Sequence, residues 1–336
     1  MRMLVIGAGA IGSVVGGLLA EAGHDITLLG RAWHLDAIRR QGLRISGLWG
    51  EHLIRRLATA THPDQIPRPR AFDWVLLCVK AHQTAAATDI LKTVLGPHTL
   101  VCALQNGLGN YETLTRAIPS SRVALGRVIF GVEIEPGHAR VTVCADEVVV
   151  GAPDAQVPRE RIAALAAALQ AGGIPARATE AILPVLWAKL LYNCALNGLS
   201  ALLEAPYGAL AACEMSRRLI RQIIEEAYQV AGAHRIPLEP PTAEAYHQLL
   251  MTRLIPSTAA HYASMLHDLR HGKPTEIDAL NGALVRLAVE AGLAAPANAL
   301  VTRLVHVKEQ FAGVAAEQAV VANVRPDRRT SGVSGT

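Results

Sequence analysis

Lys189, Asn193 and Asn197 stand in the segment from Leu186 to Leu199, where nearly every other residue is apolar. Their spacing of i, i+4, i+8 lines them along one face of a helix. A lysine flanked by Trp187, Leu190 and Leu191 is costly to bury unless its ammonium has a partner or a task. An ammonium in that setting can stabilise charge growing on an oxygen and then protonate it, the two things a carbonyl reduction asks of an enzyme. The lysines of the chain are Lys80, Lys92, Lys189, Lys273 and Lys308, and arginine supplies the rest of the positive charge. Amine and guanidinium are not interchangeable, so a lysine here is informative.

A second group of residues opens the chain. Met3 to Gly7 reads as a short apolar strand, and Gly7-Ala8-Gly9-Ala10-Ile11-Gly12 follows it. Ser13 to Ala22 then reads as a helix of small residues. This is GxGxxG in its required context of strand, turn and helix. Gly7 permits the tight turn, Gly9 lets backbone amides approach a pyrophosphate, and Gly12 allows close helix–strand packing. The helix start adds partial positive charge for the phosphates. At the end of the next strand, Asp25 to Leu29, an NAD site carries Asp or Glu for the ribose 2′-hydroxyl. This chain has Gly30-Arg31 there, which leaves room for a 2′-phosphate and a guanidinium to bind it, so the expected cofactor is NADP(H). Lys80 and Asn106 fall at the carboxyl ends of two later apolar strands, the edge where open α/β sheets bind ligands.

The elements that position these groups change character midway. Asp73 to Cys78 and Thr99 to Leu104 read as buried strands, with a helix to Leu95 between them. Val123 to Val150 reads as a strand meander closing the first domain, Arg159 to Ala171 as a helix and Ile174 to Thr179 as a last strand. From Ala181 onward only helices are expected: 181–203, 215–233, 243–251, 258–270 and 296–315. A further helix opens at Thr275-Glu-Ile-Asp278, which resembles a capping box and puts Glu276 in a first helical turn. The expected division is 1–179, 180–324 and a tail from 325 to 336.

Composition narrows the function classes. The 336 residues are 51% hydrophobic, enough for two domains with large cores. A net charge of +4 with scattered basic residues argues against nucleic acid as a partner. The apolar runs are broken by Gly, Asn or charge before a bilayer's width, and Met1 leads straight into a strand, so a soluble cytoplasmic protein without a membrane partner is expected. The five cysteines show no CxxC pairing and read as buried free thiols. His267 and His271 share a helical face without a third ligand, and no metal is expected. Monomer and homodimer are both compatible with the sequence.

Taken together, these landmarks resemble the ketopantoate reductase (2-dehydropantoate 2-reductase) family. The resemblance runs from Met1 to about Phe311. It is carried by the Gly7–Gly12 turn, Arg31, Val79-Lys-Ala-His-Gln-Thr84, Gln105-Asn-Gly107, Lys189 with Asn193 and Asn197, Ser264-Met-Leu-His-Asp-Leu269 and Pro274-Thr-Glu-Ile-Asp-Ala-Leu-Asn-Gly282. It implies an α/β fold, with an N-terminal Rossmann dinucleotide-binding domain followed by an all-α C-terminal domain. It also implies NADPH-dependent reduction of ketopantoate, a small 2-oxo acid, to pantoate on the way to pantothenate. The family's catalytic lysine falls on Lys189 and its active-site glutamate on Glu276, which counts among the cofactor-binding residues too. Its substrate-binding residues fall on Asn106, Asn193, Asn197 and Ser264. The cofactor-binding set is Gly7, Ala8, Gly9, Ala10, Ile11, Gly12, Arg31, Lys80, Asn106 and Glu276. One departure stands out: the family pattern Asn-Pro-Leu-Thr reads Asn197-Gly-Leu-Ser200 here. Glycine at 198 loosens the backbone, and it makes another 2-oxo acid the alternative substrate. A non-catalytic NADP(H) sensor is the alternative from outside the enzymes.

Overall fold

The computed structural model describes residues 1–324, with side chains through Gly313. Residues 325–336, expected as a tail, lie outside the described residues. The chain divides into two compact units, one of Met1–Tyr192 with Tyr228–Thr242, the other of Asn193–Ala227 with Ala243 onward.

The first unit is built on strands β1 (Arg2–Ile6), β2 (Asp25–Leu29), β3 (Leu43–Gly47), β4 (His52–Ile54), β5 (Ala58–Ala60), β6 (Trp74–Leu77), β7 (Leu100–Ala103), β8 (Val123–Arg127), β9 (Phe130–Glu135), β10 (His138–Cys144), β11 (Val148–Gly151) and β12 (Ala176–Thr179). Helices α1 (Ala10–Glu21), α2 (Ala32–Gln41), α3 (Thr84–Val94), α4 (Asn110–Thr115) and α5 (Arg159–Ala171) connect them. The main sheet runs β12-β11-β8-β7-β6-β1-β2-β5. From β5 to β8 every pairing is parallel, and β11 pairs antiparallel with β8. Strands such as Trp74–Leu77 and Leu100–Ala103 are buried on both faces, which is why they read as unbroken apolar runs. The chain crosses from one side of the sheet to the other between β1 and β6, and that switch point is where such sheets hold ligands.

The expected meander is four strands that split between two sheets. β8 and β11 join the main sheet, while the β9–β10 hairpin pairs with β3 and β4 in a second sheet of order β4-β3-β10-β9. The hairpin strands carry exposed residues, whereas β11 is buried throughout and β8 is buried at every position but Arg127.

The helical part comprises α6 (Ile182–Leu203), α7 (Tyr207–Ala212), α8 (Glu214–Ala233), α9 (Ala243–Leu249), α10 (Ser264–Arg270), α11 (Asn281–Glu290) and α12 (Pro296–Val324). In the second unit Leu196, Ile220, Ile223, Ile224, Leu284 and Val301 are buried. A polar brace runs through that core. Asn281 Nδ2 donates to the Cys194 carbonyl (3.1 Å) and to Asn298 Oδ1 (2.9 Å), and Asn298 Nδ2 donates to Glu226 (2.7 Å).

Several expectations need correction. The helix expected over 258–270 starts only at Ser264, because Pro256 opens a single 3-10 turn and the chain is irregular from 259 to 263. The capping box at 275–278 does not open an α-helix. Thr275 Oγ1 accepts from Ile277 N (3.3 Å), Asp278 turns to His306 Nε2 (3.0 Å), and α11 begins at Asn281. Glu276 thus caps a 3-10 turn five residues ahead of that helix. By length and composition α6 could cross a membrane, since Lys189, Asn193, Asn197 and Ser200 are diluted in 22 residues; 61% of its apolar window is buried inside the protein, as in a core helix. Of the cysteines, Cys102 and Cys194 are buried, Cys78 and Cys144 half-buried, and Cys213 is exposed beside the start of α8. Hydrogen bonds from Ser216 pull the Cys213 thiol below its ordinary range, while burial pushes Cys78 up to about 12.

Candidate active site

The glycine turn has the geometry its sequence predicts. Gly7 has φ +102°, and a Cβ there would lie 2.7 Å from Val79 N, so the β1 turn and the β6 turn touch across the switch point. A Cβ on Gly12 would sit 2.1 Å from the Gly7 carbonyl oxygen. At Gly9, by contrast, a Cβ would meet nothing within 4 Å. The Leu29 carbonyl accepts from both Gly7 N and Ala8 N (2.9 Å each). The first bond inside α1 runs from Ser13 N to the Gly9 carbonyl (2.9 Å), and no side chain caps the helix. The amides of Ala10, Ile11 and Gly12 therefore precede the helical ladder and face the open side of Gly9. Helix-start amides beside an open Gly9 are the donor set a pyrophosphate uses. It fits a dinucleotide.

Around it stand the other expected nucleotide residues of this unit. Arg31 is exposed at the end of β2, where its carbonyl caps α2 by accepting from His34 N (3.3 Å) and Leu35 N (3.2 Å). Its guanidinium lies 5.7 Å from the Trp33 ring. No carboxylate occupies the end of the strand, since Asp25 is at its beginning. Lys80 is half-buried in the turn after β6, and Asn106 is half-buried just past β7.

Lys189 joins this edge. Its ammonium donates to Asn106 Oδ1 and to the Val128 carbonyl. Both of these acceptors are neutral oxygens that aim the ammonium. Trp187, Leu190 and Leu191 beside it are buried while Lys189 is half-exposed, which is the amphipathic placement the spacing predicts.

The remaining expected residues belong to the second unit. Asn193 and Asn197 continue the line one and two turns along α6, and both are half-exposed amid buried neighbours. Tyr207 donates its hydroxyl proton to Asn197 Oδ1 (2.6 Å) and so orients that amide. Ser264 is the exposed first residue of α10. Ala263, just before it, donates its amide to Ser200 Oγ (3.2 Å), and Ser200 donates to the Ala205 carbonyl (2.7 Å). Glu276 is 9% exposed. Its neighbours are tied to α12: Thr275 N donates to Glu309 (2.7 Å), and His306 bridges Glu309 (2.8 Å) and Asp278 (3.0 Å).

Two partners are not singled out by the sequence reading. Val128 contributes only a main-chain carbonyl, which any residue would supply. Tyr207 sits in Pro206-Tyr-Gly208, a run that reads simply as a helix breaker; a tyrosine after a proline at a helix start was the clue available.

A parallel nucleotide-type sheet, a glycine cradle and an ammonium at its carboxyl edge define a dinucleotide-dependent oxidoreductase class of architecture. Residues 3–155 match the family model "Ketopantoate reductase PanE/ApbA" and residues 181–309 match "Ketopantoate reductase PanE/ApbA C terminal". The chain belongs to the ketopantoate reductase family. It is 39% identical over 312 residues to a 2-dehydropantoate 2-reductase of Aquifex aeolicus, covering 93% of this chain and 98% of that one. It is 33% identical over 301 residues to the enzyme of the same name from Halobacterium salinarum, covering 88% and 95%. Among solved structures, a PanE/ApbA family ketopantoate reductase from Ralstonia eutropha superposes with a TM-score of 0.82 at 34% identity, covering 93% and 99%. D-mandelate dehydrogenase in a ternary structure with NADH and anilino(oxo)acetate gives 0.81 at 25% identity, with the same coverage.

Proposed function

We propose that this protein is an NADPH-dependent 2-dehydropantoate 2-reductase, forming pantoate for pantothenate synthesis in the cytoplasm. The observation that carries the reading is the Lys189 ammonium held by Asn106 and the Val128 carbonyl at the carboxyl edge of the nucleotide-type sheet. Residues 1–179 serve the nucleotide and 180–324 the substrate. Gly7 to Gly12 would hold the pyrophosphate, Arg31 the 2′-phosphate, and Lys80, Asn106 and Glu276 the rest of the nucleotide. Bound NADPH supplies the hydride that the ketone carbon receives.

The chain's own residues do the rest. As the carbonyl oxygen gains negative charge, Lys189 stabilises it through its ammonium and then transfers a proton to it. Apolar neighbours on α6 limit water around that ammonium and strengthen its field. Asn193, Asn197 and Ser264 hydrogen-bond the substrate's carboxylate and hydroxyl, and Glu276 completes the catalytic set. A 2-oxo acid without the hydroxyl would leave one of these polar groups without its substrate partner, which is how such a site discriminates. A homodimer is the assembly to test by sedimentation.

The assay is NADPH oxidation by the purified protein with ketopantoate, 2-oxoisovalerate and pyruvate. Ketopantoate should give the highest kcat/KM. Lys189→Ala should lower kcat by about 10²–10⁴-fold while NADPH still binds. Equal activity in the variant removes the mechanism. Turnover highest with a different 2-oxo acid would favour the alternative substrate that Gly198 suggests. Nucleotide binding with no turnover on any of the three would favour the sensor.

A further inference from the structure

Thr84, Gln105 and Asn110 are polar side chains buried to 2, 7 and 6% exposure, all in the first unit. Burying three such groups is unfavourable unless hydrogen bonds replace the lost water. Here the bonds run outward from the Gln105 amide, one to the turn after β6 and one toward the start of α4. Gln105 Nε2 donates to the Val79 carbonyl (2.9 Å) and to Thr84 Oγ1 (2.8 Å). The Val79 carbonyl can only accept, so it fixes which way the Gln105 amide turns. The Gln105 Oε1 atom is left buried without a hydrogen-bond partner. Thr84 Oγ1 lies 2.8 Å from both Asn110 Oδ1 and the Ala81 carbonyl, and its single proton serves one of them at a time. Asn110 Nδ2 then donates to the Asn106 carbonyl (3.1 Å).

The relay ends on the residue whose side chain receives the Lys189 ammonium. The other branch from Gln105 ends on the carbonyl just before Lys80. The turn after β6, the start of α3, the turn after β7 and the start of α4 are thereby tied into one unit. We propose that Gln105, Thr84 and Asn110 are positioning residues for the reduction, setting where Asn106 holds the Lys189 ammonium. The inference rests on the reading of Lys189 as the proton donor. A brace serving only fold stability would lower the melting temperature and leave the folded enzyme's kcat alone.

Thr84→Val keeps the shape and removes the hydroxyl. It should lower kcat by about 10²-fold, the scale on which a misplacement of about 1 Å acts, with NADPH affinity little changed. Thr84→Ser should restore most of the loss. In an Asn106→Ala background Thr84→Val should cost little more, because its effect passes through Asn106. If Thr84→Val does not fold, Asn110→Ala in the same two backgrounds makes the same measurement. A readout without turnover is the acylation rate of Lys189, followed by peptide mass spectrometry. It should rise several-fold in Thr84→Val while that of Lys92 stays fixed. Parent-like kcat and Lys189 acylation in the folded variant would overturn the proposal, and so would an equal loss in both backgrounds. A parent with no turnover on any 2-oxo acid would instead count against the function, and the acylation rate would still decide the network.

Discussion

Gly198→Ala is the substitution on which the packing of α6 can be weighed most directly. In an open helix this change stabilises by about 1 kcal/mol, because glycine gives up more backbone freedom than alanine. Here the new Cβ would lie 2.4 Å from Val301 Cγ1, far inside the ~3.5–4.0 Å at which carbon atoms rest. Val301 is 1% exposed and β-branched on a helix, so it has essentially one rotamer and nowhere to turn. Relief then needs a shift of the backbone, at about 1–3 kcal/mol. Set against the helix gain, Gly198→Ala should destabilise by about 0–2 kcal/mol instead of stabilising. Val301→Ala alone should cost about 2–3 kcal/mol through lost burial and a cavity. In the double variant the new methyl occupies part of that cavity and the helix gain is realised. The two effects should therefore fall short of their sum by at least about 1 kcal/mol. Urea unfolding of the four proteins measures this. A stabilised single variant, or strict additivity, would refute the reasoning.

The cofactor and the pH response offer two further checks. Arg31→Ala should weaken NADPH binding by about tenfold or more and leave NADH nearly unchanged, as read by fluorescence titration; a parent that prefers NADH would overturn the NADPH assignment. His34 is fully buried between Ser13 Oγ (2.9 Å) and the Glu135 carbonyl (3.0 Å), and desolvation holds its imidazole below the ordinary range. The unfolded chain therefore binds this proton first, so the melting temperature should fall as pH drops from 7 through about 6.5, and His34→Gln should flatten that slope.

Local patterns carried a good share of this molecule. The GxGxxG turn, the apolar strands that follow it and the i, i+4, i+8 line on α6 are readable because each depends on residues within a few positions of one another. What escaped depends on distant partners. Nothing near Thr275 indicates that Glu309 will take its amide, or that His306 will draw Asp278 out of a cap. Nothing near Val128 indicates that its carbonyl will meet an ammonium from 61 residues away. The meander of four strands was visible as strands, but their division between two sheets is decided by β3 and β4, which lie far earlier in the chain. In the site, Lys189 and Asn106 were each singled out by local context, and their hydrogen bond is a property of the fold alone.

The same separation of local and distant causes accounts for Gly198 in place of the family's proline. Proline inside a helix removes the amide that would bond the carbonyl four residues back, which here belongs to Cys194. That carbonyl already accepts from Asn281 Nδ2 at 3.1 Å, and Asn281 is itself held by Asn298. The acceptor would keep a partner if position 198 lost its N–H, so the hydrogen bonding of α6 is indifferent to which residue stands there. The obstacles to proline are steric: its ring would press on the Cys194 carbonyl, and its Cβ would meet the Val301 methyl. Glycine at 198 and valine at 301 are thus coupled by packing, since any Cβ at 198 would meet the Val301 methyl at 2.4 Å.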